Sequence, residues 1–254
     1  MKIVIITQKE PFYLGKSIDY LLTILPKKYQ VVGAVISSPS PFGKKESFIK
    51  KAKRTFNIFG LKFFIFYSIK YIINYFDKNK SVKKVLLKNN VSEIQLSKSI
   101  NHKSSIKTIE SFKPDLLVSI QGNEIFKKPI ITLAKKGCIN LHSALLPKYR
   151  GLMPTFWVLK NNEKYTGVSV FFVDEKIDSG PIIVQKRIEI KNQTQEELII
   201  QTKKIGMKAI VEAINLIDGN NFTLIDNDDS KKTYFSFPEK SDVDKFKKIG
   251  KSFF

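Results

Sequence analysis

Four runs of aliphatic and β-branched residues punctuate the first 142 positions, at 2–8, 30–37, 115–120 and 137–142. They are apolar throughout rather than alternating, which is the pattern of strands covered on both faces and hence of a parallel sheet wrapped by helices. Segments with helical spacing lie between them; 17–25 ends at Pro26 and 104–112 just before Pro114, as helices should. This alternation predicts a doubly wound α/β architecture. From Tyr165 the pattern changes to two further strands, 168–173 and 182–190. A long helix follows, opened by Asn192 or Thr194, with Glu196 and Glu197 in its first turn.

One stretch departs from this rhythm. Residues 37–43 read as a loop rich in Ser and Pro, followed by Lys44, Lys45, Lys50, Lys51, Lys53 and Arg54, and then by an aromatic helical segment from 56 to 76. Lys62, Lys70 and Asn74 recur at multiples of four, so a helix there carries only a narrow polar stripe. With Asn57 these residues also interrupt the segment too often for a membrane span. The insertion at about 44–78 therefore needs an apolar cover, and three stay open: the rest of the chain around a mostly buried helix, a partner subunit in a homodimer, or a peripheral contact with a membrane surface.

Composition adds limits. Hydrophobic residues at 43% and charged residues at 26% are those of a folded globular chain, not of a disordered one. The single Cys excludes an intrachain disulfide, and one Cys with two His excludes a structural zinc site of thiolates and imidazoles, so no metal is expected. The first strand follows Met1 directly without a targeting pattern, and the expected location is cytoplasmic. The formal charge of +21 raises nucleic acid, an anionic membrane and a phosphate-bearing substrate as partners. Composition does not choose among these, and a solvated basic surface is the simplest reading.

The candidate chemistry lies in residues 137–154, Gly-Cys-Ile-Asn-Leu-His-Ser-Ala-Leu-Leu-Pro-Lys-Tyr-Arg-Gly-Leu-Met-Pro. Asn140 and His142 are two apart at the end of an apolar run, so on a strand both side chains point to one face, at the carboxyl edge where open α/β sheets bind ligands. Read alone, His142 is either an active-site residue or a loop histidine bonded to backbone. His102, in a polar turn, reads as a surface or cap residue. Cys138 and Trp157 read as packing residues.

Together with Gly167 to Val170 and Asp174 to Ile182, this stretch resembles the folate-dependent formyltransferase family, whose hallmark is Asn-x-His, a Leu-Pro-x-aromatic-Arg-Gly loop and a downstream Asp. The resemblance covers residues 80–200 well and the tail weakly. It implies a Rossmann-like parallel or mixed sheet, a catalytic domain over 1–218 with the helical insertion inside it, and a short extension over 219–254. It also implies a co-substrate, 10-formyltetrahydrofolate, and a primary amine as acceptor. Asn140, His142 and Asp178 match the catalytic positions. An amide and an imidazolium suit an oxygen that gains negative charge in a tetrahedral intermediate, and a carboxylate orients the ring for proton transfer. The family's pteridine pocket corresponds to Ile120, Gln121, Gly122, Asn123, Ile125 and Phe126, to Leu145, Pro147 and Gly151 of the closing loop, and to Val173, Asp174 and Ile177. Arg150 reads either as a substrate cation or as a structural one.

Within the family, the turn after the first strand, Thr7 to Tyr13, lacks the glycine-rich phosphate loop of glycinamide-ribonucleotide formyltransferases. The start leaves no room for the regulatory domain of deformylases. The 76 residues after Asp178 are too few for the added barrel of methionyl-tRNA formyltransferases. The layout is nearest to sugar N-formyltransferases, which act on nucleotide-linked amino sugars for surface polysaccharides, although the tail from Tyr234 to Lys240 lacks their Arg. Two alternatives stand beside this reading: a methionyl-tRNA formyltransferase-like enzyme without the barrel, and a non-catalytic basic protein binding nucleic acid on the same scaffold. Specific nucleic-acid recognition is disfavoured, because the catalytic residue types are intact and no aromatic-basic recognition motif replaces them.

Overall fold

The structure, a computed structural model, describes residues 1–39 and 47–254. The expected loop at 37–43 is outside the described residues from position 40 onward, as are Lys44 and Lys45. In chain order the elements are β1 (Lys2–Gln8), α1 (Leu14–Ile24), β2 (Gln30–Ser37), α2 (Phe48–Phe59), α3 (Leu61–Phe76), α4 (Val82–Lys88), β3 (Glu93–Ile94), α5 (Lys103–Glu110) and β4 (Leu116–Ile120). There follow α6 (Lys128–Ile131), β5 (Cys138–His142), β6 (Arg150–Gly151), α7 (Pro154–Lys160), β7 (Tyr165–Phe172), β8 (Ile182–Glu189), α8 (Gln195–Asp218), β9 (Tyr234–Phe235) and α9 (Lys240–Lys248).

Seven strands form one sheet in the order β3-β2-β1-β4-β5-β7-β8. The first five are mutually parallel, and β7 and β8 add as antiparallel neighbours. The expected doubly wound, mixed α/β sheet is therefore present. Its strands are apolar because both faces are covered. Ile3, Ile5, Leu116 and Val118 pack with α1, α4 and α8 on one side, whereas Val4, Ile6 and Leu117 pack with α5 and α6 on the other. The long helix α8 is opened by Thr194 in a capping box with Glu197, which decides between the two cap candidates.

A third apolar cluster lies beyond the sheet. Phe156, Trp157 and Leu159 of α7 pack with Val243 and Phe246 of α9, with Phe253 from the C-terminus and with Phe59 of α2. The C-terminal segment also reaches α8, where the Ser252 and Phe253 carbonyls accept from the backbone N–H groups of Gln195 and Glu196 at 2.9 and 3.0 Å. Parts of α2, α7, α9 and the last residues of the chain thus share one core, an arrangement with no trace in the local sequence pattern.

The aromatic segment expected as one helix is two. Gly60 has a φ of +86°, a value that L side chains rarely adopt, and the chain turns there between α2 and α3. The polar stripe of α3 is turned partly inward: Lys70 pairs with Glu196 of α8, and Asn74 is buried.

Candidate active site

The site is assembled at the carboxyl edge of the parallel strands. On β5, Ile139 and Leu141 pack toward α8, and Cys138 belongs to the opposite layer. Strand alternation therefore sends Asn140 and His142 out on the Cys138 side. Burial pushes the Cys138 thiol up, which keeps it a packing residue.

His142 is buried, and its Nε2 lies 2.7 Å from the Tyr149 carbonyl oxygen. A carbonyl only accepts, so this nitrogen carries a proton. Its Nδ1 faces Asp178 Oδ2 at 3.5 Å. Both ring nitrogens therefore face acceptor oxygens. Asp178 has a φ of +50°, a conformation in which Asp is among the few tolerated non-glycine residues. Its Oδ2 also accepts from the Gly151 N–H at 2.9 Å. Asn140 makes no side-chain hydrogen bond to any described residue, so of the three candidates it is the one whose donors are open.

The loop between β5 and β6 is held from several sides. Ser169 of β7 is fully buried; it accepts from the Leu146 N–H at 3.1 Å and donates to the Ala144 carbonyl at 2.8 Å, while Gln185 of β8 donates to the Leu146 carbonyl at 2.9 Å. The Tyr149 hydroxyl donates to Glu163 at 2.6 Å, and burial with that bond pushes the phenol up to about 12. Arg150 is structural: its guanidinium donates to Asp229 at 2.6 Å and to the side chain and carbonyl of Asn227 at 2.9 and 3.0 Å. Gly151 is needed at the pairing of β6 with β9. Its φ is +97°, and a Cβ there would stand 2.3 Å from the Phe235 carbonyl oxygen.

The expected pteridine residues divide into two groups. Gln121 and Ile125 are exposed at the sheet edge, and Gly122 and Asn123 are half-buried between them. Asn123 accepts from Ser37 Oγ at 2.7 Å and donates to the Ser38 carbonyl, so it ties the loop after β4 to the end of β2. Ile120 and Phe126, in contrast, have side chains in the two cores, which leaves only their backbone for a ligand. Val173 also packs partly into the core, Asp174 accepts from the Ser179 hydroxyl at 2.5 Å, and Leu145, Pro147 and Ile177 are half-buried. His102 caps α5, its Nδ1 accepting from the Ser104 N–H at 3.1 Å.

Several positioning residues were not evident in the sequence. Asn227 donates to the carbonyls of Asp178 and Gly180, both at 2.9 Å, from a polar tail 49 residues away from Asp178. Nothing in its local pattern marks it. Ser169 carries a weak signal, as a hydroxyl inside a continuous apolar run.

Glu10 is the other. Its carboxylate accepts from the N–H groups of Phe12, Tyr13 and Leu14 at 2.8, 2.9 and 2.8 Å. The N-terminus of α1 is thus filled by an anion of the chain itself, where a phosphate could otherwise bind. Glu10→Ala should lower the unfolding free energy by about 1–2 kcal/mol, read from the urea midpoint at pH 7. An unchanged midpoint would show that the carboxylate does not cap the helix.

Known proteins resemble this chain in sequence and in fold. A methionyl-tRNA formyltransferase of Alkaliphilus oremlandii is 40% identical over 127 residues, covering 50% of this chain and 41% of that relative. One of Kosmotoga olearia is 31% identical over 217 residues, covering 85% and 60%. The chain thus spans about half the length of these two relatives. Among solved structures, an N-formyltransferase from Helicobacter canadensis in complex with folinic acid and dTDP-3-aminofucose is similar over 93% of this chain and 71% of that one, at 20% identity and a TM-score of 0.57. A phosphoribosylglycinamide formyltransferase from Campylobacter jejuni is similar over 86% and 97%, at 18% identity and a TM-score of 0.60. These two share the fold. The formyl transferase family model matches residues 70–214, more than half of the chain and the whole span that carries Asn140, His142 and Asp178, and the chain belongs to that family.

Proposed function

We propose that this protein transfers a formyl group from 10-formyltetrahydrofolate to a primary amine. The observation that carries the reading is the buried His142, held between the Tyr149 carbonyl and Asp178, two residues from the open amide of Asn140. The amine nitrogen attacks the formyl carbon, a new C–N bond forms, and the carbon's bond to N10 of the folate breaks. The amine proton passes to N10, giving a formamide and tetrahydrofolate. Asn140 supplies a donor to the formyl oxygen as its charge grows, a role whose loss costs about a hundred- to a thousand-fold. His142 relays the proton by exchanging the Tyr149 carbonyl for the reacting groups, and Asp178 keeps the ring oriented. The pteridine is held by backbone of 120–126 and 173–178, since Ile120 and Phe126 commit their side chains to the cores.

As acceptor we assign a nucleotide-linked amino sugar. Support comes from Glu10, which fills the anion position at α1 that a glycinamide-ribonucleotide phosphate would want, and from a protein of this fold that binds dTDP-3-aminofucose. Methionyl-tRNA is the second reading, favoured by the identity to methionyl-tRNA formyltransferases. The test is a formylation assay with 10-formyltetrahydrofolate and each acceptor in turn, product mass as readout. Turnover on dTDP-amino sugars well above that on methionyl-tRNA is expected; the reverse order reassigns the acceptor, and no formylation of any amine removes the activity.

A further inference from the structure

We infer that the outward face of the α2–α3 hairpin is a docking surface for an anionic lipid bilayer. This does not depend on the reaction assigned above.

The first observation is the inverted polarity of α3. Lys70 and Asn74 turn inward, and Tyr67 bonds the Tyr13 hydroxyl at 3.2 Å. Outward stand Leu61, Ile65, Ile69, Ile72, Ile73 and Phe76, spaced as one helical stripe and 48 to 76% exposed. Phe48 and Ile49 of α2 are still more open, at 72 and 79%. Amphipathic helices in water bury such a stripe. A contiguous apolar surface of this kind marks an interaction site.

Charge selects the occupant. Residues 47–76 contain six Lys or Arg and no Asp or Glu, and Lys50, Lys53 and Lys62 are exposed beside the apolar stripe. A second copy seated by a two-fold axis would oppose this patch with the same patch, which offers its cations no Asp or Glu. An anionic bilayer accepts both features at once: the cations meet headgroups, and the Ile, Leu and Phe side chains enter the interface. The chain's formal charge of +21 draws it toward such a surface. No described helix is long and apolar enough to cross a membrane, so the helix lies in the interface plane.

Placement adds a consequence. α3 rests on the segment that follows β1, with the Phe12 and Tyr67 rings 5.3 Å apart. The hairpin therefore stands on a segment that leaves the sheet edge carrying Asn140 and His142.

The test is sedimentation of the full-length protein with phosphatidylcholine vesicles, with and without an equal part of phosphatidylglycerol. Wild type is expected to pellet only with the anionic vesicles and to release as salt rises. Ile69→Ser with Ile73→Ser should lower partitioning by about tenfold, with an unchanged circular dichroism spectrum because both positions are exposed. Lys50→Glu with Lys53→Glu, also exposed, should abolish it. Absence of binding to anionic vesicles overturns the proposal, as does binding that the Ile69→Ser/Ile73→Ser variant retains in full, which would reflect charge alone. A wild-type dimer that this variant converts to monomer, without vesicle binding, overturns it in favour of a second copy.

Discussion

Replacing His142 or Asp178 by Asn should lower kcat for formyl transfer by about a hundred- to ten-thousand-fold in a protein that still folds. Asn matches Asp178 in shape and is smaller than His142. At 178 its Oδ1 can still accept from the Gly151 N–H, and at 142 its amide takes the place of the ring Nδ1 that faces Asp178, while the contact of Nε2 with the Tyr149 carbonyl is given up. What is lost is chemical: a titratable ring in one case, and the charge that orients it in the other. Asn140→Ala removes a donor that has no partner within the described protein, so its effect should fall on kcat, about a hundred- to a thousand-fold, with no loss of stability. Single-turnover kinetics with purified variants separates these outcomes. Turnover near wild type in the His142 or Asp178 variant would remove the pair from the mechanism.

The largest effect on stability is expected at Phe156. It is fully buried, with ring centroids 5.1 Å from Trp157, 5.1 Å from Phe246 and 6.2 Å from Phe253. Phe156→Ala should cost about 3–5 kcal/mol of unfolding free energy through lost transfer energy and a cavity, measured by urea unfolding. Activity should fall with it. The same cluster seats Phe235 on Trp157 and Tyr149, at 4.6 and 5.3 Å between centroids, and so presses β9 against the loop that contacts His142. A cost below about 1 kcal/mol would mean that the third cluster unfolds apart from the sheet, making 219–254 an appendage rather than a wall of the site.

Much of the scaffold was legible because a buried parallel strand needs little context. The runs at 2–8 and 30–37 coincide with β1 and β2, since short continuous runs of apolar β-branched residues suit a strand covered on both faces. Short elements escaped: β3, β6 and β9 are two residues each, and no periodicity exists over two positions. The Gly60 break was also missed. A lone glycine within an aromatic run reads as tolerated in a helix, and only its backbone angle shows that two helices meet there.

By itself, then, the chain's pattern determined the layered sheet, the edge at which β5 ends, and the pairing of Asn140 with His142 on one face. These follow from strand periodicity, a property of neighbouring residues. Tertiary structure alone decided which way α3 faces, how the C-terminal residues close a core over α7, and that Tyr149, Gly151 and Asn227 hold His142 and Asp178 in place. Those contacts join positions tens of residues apart, and they depend on which apolar surfaces find each other once the sheet has formed. On a helix whose polar stripe is so narrow, a side chain's outward or inward sense is set by its neighbours, not by its own sequence.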